Sequence, residues 1–495
     1  MPAEMISPPK LVTRVLLTGA TGYVGRRLMF RLTGDPEIRL RLLVRNTAKL
    51  GPLPDPRIET FEGSTFEPVS LRRALEGIEV AFYLIHSLGA GGDFPELERK
   101  SAVNFREACI EAGVRRIIYL GGLGVRATAS EHLRSRLETG ELLGARPDRV
   151  RLLWFRAGII IGSGSASFEI IRHLVQELPV MIAPRWVETR TQPIGIDDVV
   201  EYLYRGISLS FPGNLTVDIG AEPMSFREMM LRAAAVMGLR RYVIRVPLFS
   251  PRLSSYWLIL MTPVPFSIAR ALVDGLKSES VAQNANAAIH FPEIRPTSYE
   301  KAIARAIEEI ETNQVLSRWS DSSAQESCDI DKTDRISEAV YIVKKTQTFG
   351  EIPAARIYAA FISLGGDNGW PAFPGLWRLR GLWDKLAGGP GLSRGRRDKL
   401  RLRIGDSLDF WKVLDLRENE RLLLLAQMKV PGRAWLEFSI RGNTLVQTAY
   451  FLPKGILGRL YWYSLIPVHG LIFKRLAGRI IENAPKMKKD SVNVF

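Results

Sequence analysis

The sequence predicts an α/β fold built on a doubly wound parallel sheet with a small lobe of its own, followed by a separate α+β domain. Three observations lead there. Residues 15–18 form an apolar run that breaks on Gly19, Gly22 and Gly25 and then turns amphipathic, the pattern of strand, tight turn and helix. Short apolar runs alternate with helix-period segments as far as residue 158, as consecutive βα units do. Beyond residue 335 the pattern becomes closely spaced β-rich runs between turn residues, closed by one long aromatic-rich helical segment.

Size and composition narrow the field. A chain of 495 residues exceeds what one core supports, so about two or three domains are expected. With 46% hydrophobic and 24% charged residues it reads as globular, neither disordered nor fibrous. Cys109 and Cys328 cannot make a disulfide framework, and five scattered histidines without a Cys-x-x-Cys pair make a metal site unexpected. Met1-Pro2-Ala3-Glu4 lacks the basic flank and apolar core of a signal peptide, so a reducing cytoplasm is expected.

Two segments are apolar enough to raise a membrane question. Residues 253–269 carry no charge but are interrupted by Pro263 and Pro265; residues 455–481 contain Arg459, Pro467, His469 and Lys474. A spanning helix needs about 20 predominantly apolar residues, so neither is expected to cross a bilayer, and interfacial contact stays open for both. The net charge of +16 is uneven: from residue 331 onward 28 Lys and Arg stand against 15 Asp and Glu. Such a surface could meet nucleic acid, anionic lipid or an acidic partner. No nucleic-acid motif accompanies it and its cations are interleaved with strands, so nucleic acid is set aside. A solvated basic surface is preferred, with peripheral contact to an anionic membrane held open.

Taken in order, the glycine turn comes first. Gly19 permits the sharp exit from the strand, Gly22 lets backbone approach a pyrophosphate, and Gly25 lets the new helix pack closely on its strand. The helix start offers unpaired N–H groups and a partial positive charge to phosphate. The alternative is a structural turn with no ligand. The string Thr18-Gly19-Ala20-Thr21-Gly22-Tyr23-Val24-Gly25 resembles the extended and atypical short-chain dehydrogenase/reductase superfamily, with its Rossmann domain. That resemblance implies NAD(P) binding through Gly19, Thr21, Gly22, Tyr23, Val24 and Gly25.

Ile38–Val44 reads as the second strand. In NAD-binding relatives an acid usually follows it to bond the ribose hydroxyls; here Arg45 and Asn46 do. A guanidinium can clamp a 2′-phosphate that an acid would repel, and Arg26 could assist. NADP(H) is therefore expected over NAD(H), the alternative being that Arg45 merely caps a strand. Residues 58–61 form a third strand leading to Gly63-Ser64-Thr65, where relatives carry Gly-Asp beside the adenine. Residues 79–85 form a fourth, almost wholly apolar and so buried on both faces. It ends in Leu84-Ile85-His86, where the crevice beyond the strand ends holds the nicotinamide half. His86 either touches cofactor or substrate or is an ordinary loop residue.

A helix through residues 104–112 leads to the strand Arg116–Gly122, which ends on two glycines where the superfamily commonly has a catalytic serine. The following residues 130–136 align with its Tyr-x-x-x-Lys helix, placing His132 at the tyrosine position and Arg136 at the lysine position. The spacing of four keeps both on one helical face. The resemblance implies that His132 donates a proton, as an imidazole titrating near pH 6.5 could, while Arg136 holds the nicotinamide ribose without exchanging a proton. The competing reading is a domain that binds the dinucleotide without turnover.

Residues 152–158 form a sixth strand that runs on into the small-residue segment 162–167, the crossing into the substrate lobe in relatives. Residues 191–200 resemble the extended subfamily's return strand and helix. Ser225-Phe226-Arg227-Glu228 spells a capping box for a helix through Met237, and the run around Tyr256 and Trp257 roofs a crevice or packs on the other domain. The resemblance spans residues 11–311, closely in the first half and loosely after Gly162, with the substrate lobe mainly in 163–311. Residues 312–335 read as a polar linker.

Residues 336–485 form the last domain. A short run at 339–343 and a helix at 354–364 precede the turn cluster Gly365-Gly366-Asp367-Asn368-Gly369-Trp370. β-rich runs follow at 410–416, 421–430, 433–440 and 444–451, with turns at Pro431-Gly432 and Arg441-Gly442-Asn443, and then a helix over 455–481. Antiparallel strands on one long helix suggest a helix-grip, START-like fold. The order resembles an uncharacterised domain found behind atypical reductases. Such folds enclose an apolar cavity, which Trp370, Trp411, Trp435, Tyr461 and Trp462 would line unless they are simply core.

Three functions follow. The leading expectation is a reductase using NADP(H) on a bulky, apolar carbonyl, enone or quinone-like substrate. The second is a non-catalytic dinucleotide sensor or assembly factor with a hydrophobic-ligand domain, like NmrA-like regulators or the Rossmann accessory subunit of respiratory complex I. The third, resting only on the basic C-terminal half, is lipid carriage at a membrane surface. The sequence leaves the oligomeric state unread.

Overall fold

The computed structural model describes residues 12–47, 50, 53–85, 94–183, 185–245, 274–275, 278–312, 317, 339–386, 389, 391–394, 396 and 402–486. The chain divides into two compact units. One comprises Met1–Gly162, Glu188–Phe226 and Gly275–Ile303, the other Ser163–Val187, Arg227–Asp274 and Ala304–Phe495. The expected linker lies almost wholly outside the described residues, as do 253–269 with Tyr256 and Trp257.

The first unit is built on seven parallel strands: β1 (Thr13–Thr18), β2 (Ile38–Val44), β3 (Glu59–Glu62), β4 (Val80–Tyr83), β5 (Arg116–Gly122), β6 (Arg151–Ala157) and β11 (Leu215–Ile219). Their order is β11-β6-β5-β4-β1-β2-β3, a Rossmann sheet whose winding reverses between β1 and β4. Because strand residues alternate, each apolar run fills two cores. Leu17, Phe82, Ile118 and Phe155 meet the helices α1 (Tyr23–Thr33) and α6 (Ile196–Arg205) on one face. Leu16, Tyr83 and Tyr119 meet α2 (Pro68–Leu75) and α3 (Phe94–Glu111) on the other. Helix α4 (Glu131–Leu143) starts at Ser130, whose hydroxyl accepts the Leu133 N–H at 3.3 Å.

Several boundaries move from their expected places. The helix before β5 begins at Phe94, well ahead of residue 104. Strand β4 stops at Tyr83 because the Leu84 N–H turns to the Thr18 hydroxyl, 3.2 Å away, instead of continuing the ladder. Short pairs complete this unit: β7 (Ile160–Ile161) with β10 (Ile194–Gly195), and β9 (Arg190–Thr191) with β12 (Met224–Ser225).

In the second unit, α5 (Ala166–Glu177) precedes β8 (Val180–Ala183), which pairs in parallel with β13 (Tyr242–Arg245) beyond α7 (Phe226–Val236). The remainder is an antiparallel sheet of β14 (Tyr341–Thr348), β15 (Ser407–Leu408), β16 (Trp411–Arg417), β17 (Arg421–Ala426), β18 (Gly432–Arg441) and β19 (Thr444–Pro453). Its order, β14-β19-β18-β17-β16-β15, sets the first strand beside the last. Asn443 and Gly442 (φ +54°) make the tight turn between β18 and β19. β17 ends at Ala426, short of the expected residue 430, so the connection to β18 is five residues long. The C-terminal helix Gly455–Asn483 lies on β19 and β14, its Leu476 and Ile480 packed into a core with Phe361, Phe410 and Phe438. A helix the sequence pattern did not single out, Pro374–Leu386, precedes β15. Among the described residues no helix is long and apolar enough to cross a membrane.

Candidate functional site

The glycine turn sits at the winding reversal, between the ends of β1 and β4. Gly19 has φ +74°, and a Cβ there would stand 2.5 Å from the Leu84 carbonyl oxygen. The Gly22 N–H closes the turn on the Gly19 carbonyl at 2.9 Å, and Gly22 caps α1 in an extended conformation. A Cβ on Gly25 would lie 2.1 Å from the Gly19 carbonyl oxygen, so the helix rests directly on the turn. Thr21, Gly22, Tyr23 and Val24 are half-buried while the helix behind them is buried. This leaves an open cradle of backbone N–H groups at a helix start, which fits a pyrophosphate. Sequence reasoning missed Thr18, whose hydroxyl donates to the Phe82 carbonyl at 2.7 Å and ties β1 to β4. Its only signal was a hydroxyl ending an apolar run.

Arg45 is exposed immediately after β2, with Asn46 half-buried beside it. Arg26 is buried, and its Nη2 donates to the Leu50 carbonyl at 3.0 Å, which directs it into the loop after β2. Ser64 is half-buried and accepts the Phe66 N–H at 3.3 Å. Thr65 is buried; its hydroxyl meets Ser101 at 2.7 Å, and Ser101 meets the Tyr83 hydroxyl at 2.7 Å. That relay turns the Thr65 side chain inward. Leu84 and Ile85 follow β4 and are half-buried; His86 lies outside the described residues.

At the end of β5 the two glycines have a steric cause. A Cβ on Gly121 would stand 2.4 Å from the Trp154 indole nitrogen, and one on Gly140 of α4 would stand 2.4 Å from the same ring. Trp154, opposite Tyr119 in the β5–β6 register, thus fills the space both glycines leave. A Cβ on Gly122 would meet Leu133 at 2.5 Å. The end of β5, read from the sequence as two glycines, is therefore closed by Trp154 and Leu133.

His132 and Arg136 share one face of α4, both half-buried. The Arg136 Nη2 donates to the Leu120 carbonyl at 2.5 Å, and its Nε is buried with no hydrogen-bond partner among the described residues. A cation with an unmatched donor at the strand end fits an oxygen-rich ligand such as a ribose. The Tyr119 hydroxyl donates to the Arg136 carbonyl at 3.0 Å, and burial pushes its pKa up to about 12. Tyr119 is thereby a fixed support, held in its protonated form. Beneath it Ser135 donates to the buried Glu98, anchoring α4 to α3.

The second unit holds a cavity of about 250 Å³ within its C-terminal part, between the sheet, the C-terminal helix and the Pro374–Leu386 helix. Trp411, Trp435, Tyr461 and Trp462 line it as expected. Trp370 does not. It is buried in the core, and its indole N–H donates to Asp409 at 2.8 Å. No grouping of residues that could hold a metal occurs among the described residues.

Residues 19–145 match the family described as NAD(P)H-binding, and residues 338–476 match a family described only as a protein of unknown function, DUF2867. A ceramide reductase of Caulobacter vibrioides is 27% identical over 266 residues, 52% of this chain and 82% of the relative. A (4-alkanoyl-5-oxo-2,5-dihydrofuran-3-yl)methyl phosphate reductase of Streptomyces griseus is 26% identical over 178 residues, 34% of this chain and 57% of the relative. The Citrobacter sp. triphenylmethane reductase complexed with NADP(H) superposes with a TM-score of 0.49 at 18% identity, over 59% of this chain and all of that one. The N-terminal region thus combines a Rossmann sheet with a match to an NAD(P)H-binding family and similarity to two reductases.

Proposed function

We propose that the chain is a reductase using NADP(H) on a bulky, apolar carbonyl, enone or quinone-like substrate. The observation that supports this is the open glycine cradle at the winding reversal, together with the unmatched Arg136 donor at the end of β5. Arg45 would hold the 2′-phosphate, which favours NADP(H) over NAD(H). The dinucleotide, when bound, supplies a hydride. His132 donates the proton that the reduced oxygen needs, and Arg136 holds the ribose, being permanently charged. A relative named for ceramide supports an apolar substrate. The domain division of 11–311, 312–335 and 336–485, a helix-grip, START-like reading of the last part as a hydrophobic-ligand domain, and a cytoplasmic site belong to the same proposal.

A single experiment tests the assignment. His132→Phe should lower turnover by about 10²–10⁴-fold while leaving NADPH affinity nearly intact. The wild-type rate should fall as rising pH removes the imidazolium. NADPH oxidation over a carbonyl and quinone panel reads both. The second reading, a non-catalytic sensor, is favoured by the closed strand end at Gly121 and Gly122. It takes over if the wild type binds NADPH and oxidises it with no substrate of the panel.

A further inference from the structure

We infer that the end of the C-terminal domain where its apolar cavity opens docks on an anionic lipid bilayer. The first ground is a helix turned inside out. In Pro374–Leu386, Leu379, Leu382, Trp383 and Leu386 follow the i, i+3, i+4, i+7 spacing that puts them on one face. That face points to solvent, with exposures of 51%, 45%, 64% and 62%. The opposite face buries Trp377, Gly381 and Asp384. A contiguous exposed apolar stripe marks a contact surface, and tryptophan is favoured at the membrane–water boundary.

The second ground is where the stripe lies. Leu379 and Trp383 are at once exposed and part of the cavity wall, so the stripe is the cavity's rim. The rest of the rim comes from the β17–β18 connection, through Met428 and Val430, and from the first turns of the C-terminal helix, through Tyr461. Leu457, one turn before Tyr461 on the same face, is 73% exposed. These three segments are tied together. Arg380 donates to the Lys429 carbonyl at 3.3 Å, the Lys429 N–H donates to Asp384 at 2.6 Å, and the Lys454 N–H donates to the Pro431 carbonyl at 2.9 Å.

Charge selects the occupant. Residues 374–386, 427–434 and 453–465 together carry seven Lys and Arg against one acid, Asp384, which is fully buried. A second copy related by a two-fold axis would set this cationic surface against itself. An anionic bilayer accepts both the cations and the apolar stripe, and an acyl chain could pass from it into the cavity without crossing water. This inference is independent of whether the Rossmann domain turns over a substrate.

The test uses the full chain and co-sedimentation with phosphatidylcholine vesicles prepared with and without phosphatidylglycerol. Binding is expected only where phosphatidylglycerol is present, weakening as salt is raised. Lys429→Gln combined with Arg433→Gln should reduce partitioning by about thirtyfold, roughly fivefold for each cation removed. Trp383→Ser combined with Leu386→Ser should abolish it, with circular dichroism and thermal melting verifying that these surface variants fold. Brominated acyl chains should quench wild-type tryptophan fluorescence, and less so in Trp383→Phe. Absence of binding to anionic vesicles, or binding unchanged in both double variants, overturns the inference. A dimer in solution that Leu382→Glu dissociates, with no vesicle binding, would assign the surface to a second copy and equally overturn it.

Discussion

Replacing Gly25 by alanine tests whether the nucleotide turn and α1 form one packed unit. The added Cβ would lie 2.1 Å from the Gly19 carbonyl oxygen, 2.7 Å from its carbon and 3.2 Å from the Ala20 Cα. All three neighbours are backbone, so no side chain can swing away. Overpacking of this kind costs about 1–3 kcal/mol or more, while alanine returns about 1 kcal/mol of helix propensity. With the contact at the severe end, the net loss should be about 2 kcal/mol. For a unit of this size that is about 4–8 °C in Tm. The Gly19 carbonyl also accepts the Gly22 N–H, so displacing it opens the cradle, and NADPH should bind at least about tenfold more weakly, or 1.4 kcal/mol. Gly34→Ala is the control: its φ is −70° and its nearest neighbour would be 3.6 Å away, so affinity should not move and stability should hold or rise by about 0.4–1 kcal/mol. Titration calorimetry gives the affinity, and scanning calorimetry gives the transition that NADPH shifts. Wild-type NADPH affinity in folded Gly25→Ala would refute the reasoning.

Arg45→Ala should weaken NADPH by about 1.5–3 kcal/mol and leave NADH nearly unchanged, measured by calorimetry; equal losses for both would remove Arg45 from the 2′-phosphate. Burial raises Tyr119 to about 12, and burial raises Tyr202 to about 12, so the fold favours their protonated forms. Stability is then full below the ordinary tyrosine value of 10.0 and falls as pH rises from there toward about 12. Tyr119→Phe should flatten that alkaline loss in melts followed against pH. Asp384→Ala should strip the acceptor from the N–H groups of Lys429 (2.6 Å) and Gly391 (2.8 Å), costing about 2–5 kcal/mol in urea unfolding, with Asp384→Asn recovering part.

The strands of the central sheet were legible because parallel strands buried on both faces are short, nearly continuous apolar runs between turn residues. Ile38–Val44 and Arg116–Gly122 have the bounds expected of them. The Pro374–Leu386 helix was hidden for the opposite reason. Leu379, Leu382, Trp383 and Leu386 keep helical spacing, but the segment is short and glycine and proline flank and interrupt it, so it reads as part of the preceding turn cluster. The glycine turn could be read because its parts are contiguous in the chain. Thr18 and Trp154 act through neighbouring strands far along the sequence, which no local pattern records. Likewise the absence of a serine after β5 was visible in the letters, but its cause lay on β6.

The Trp154 ring between Gly121 and Gly140 also constrains how this protein can change. A serine introduced at position 121 meets an indole that cannot move aside, because Gly140 already holds its other contact. Shrinking Trp154, which is half-buried, would cost part of the roughly 3–5 kcal/mol that a fully buried tryptophan loses. Positions 121, 140 and 154 therefore behave as one steric unit, and a side chain at 121 can be accommodated only together with a smaller residue at 154.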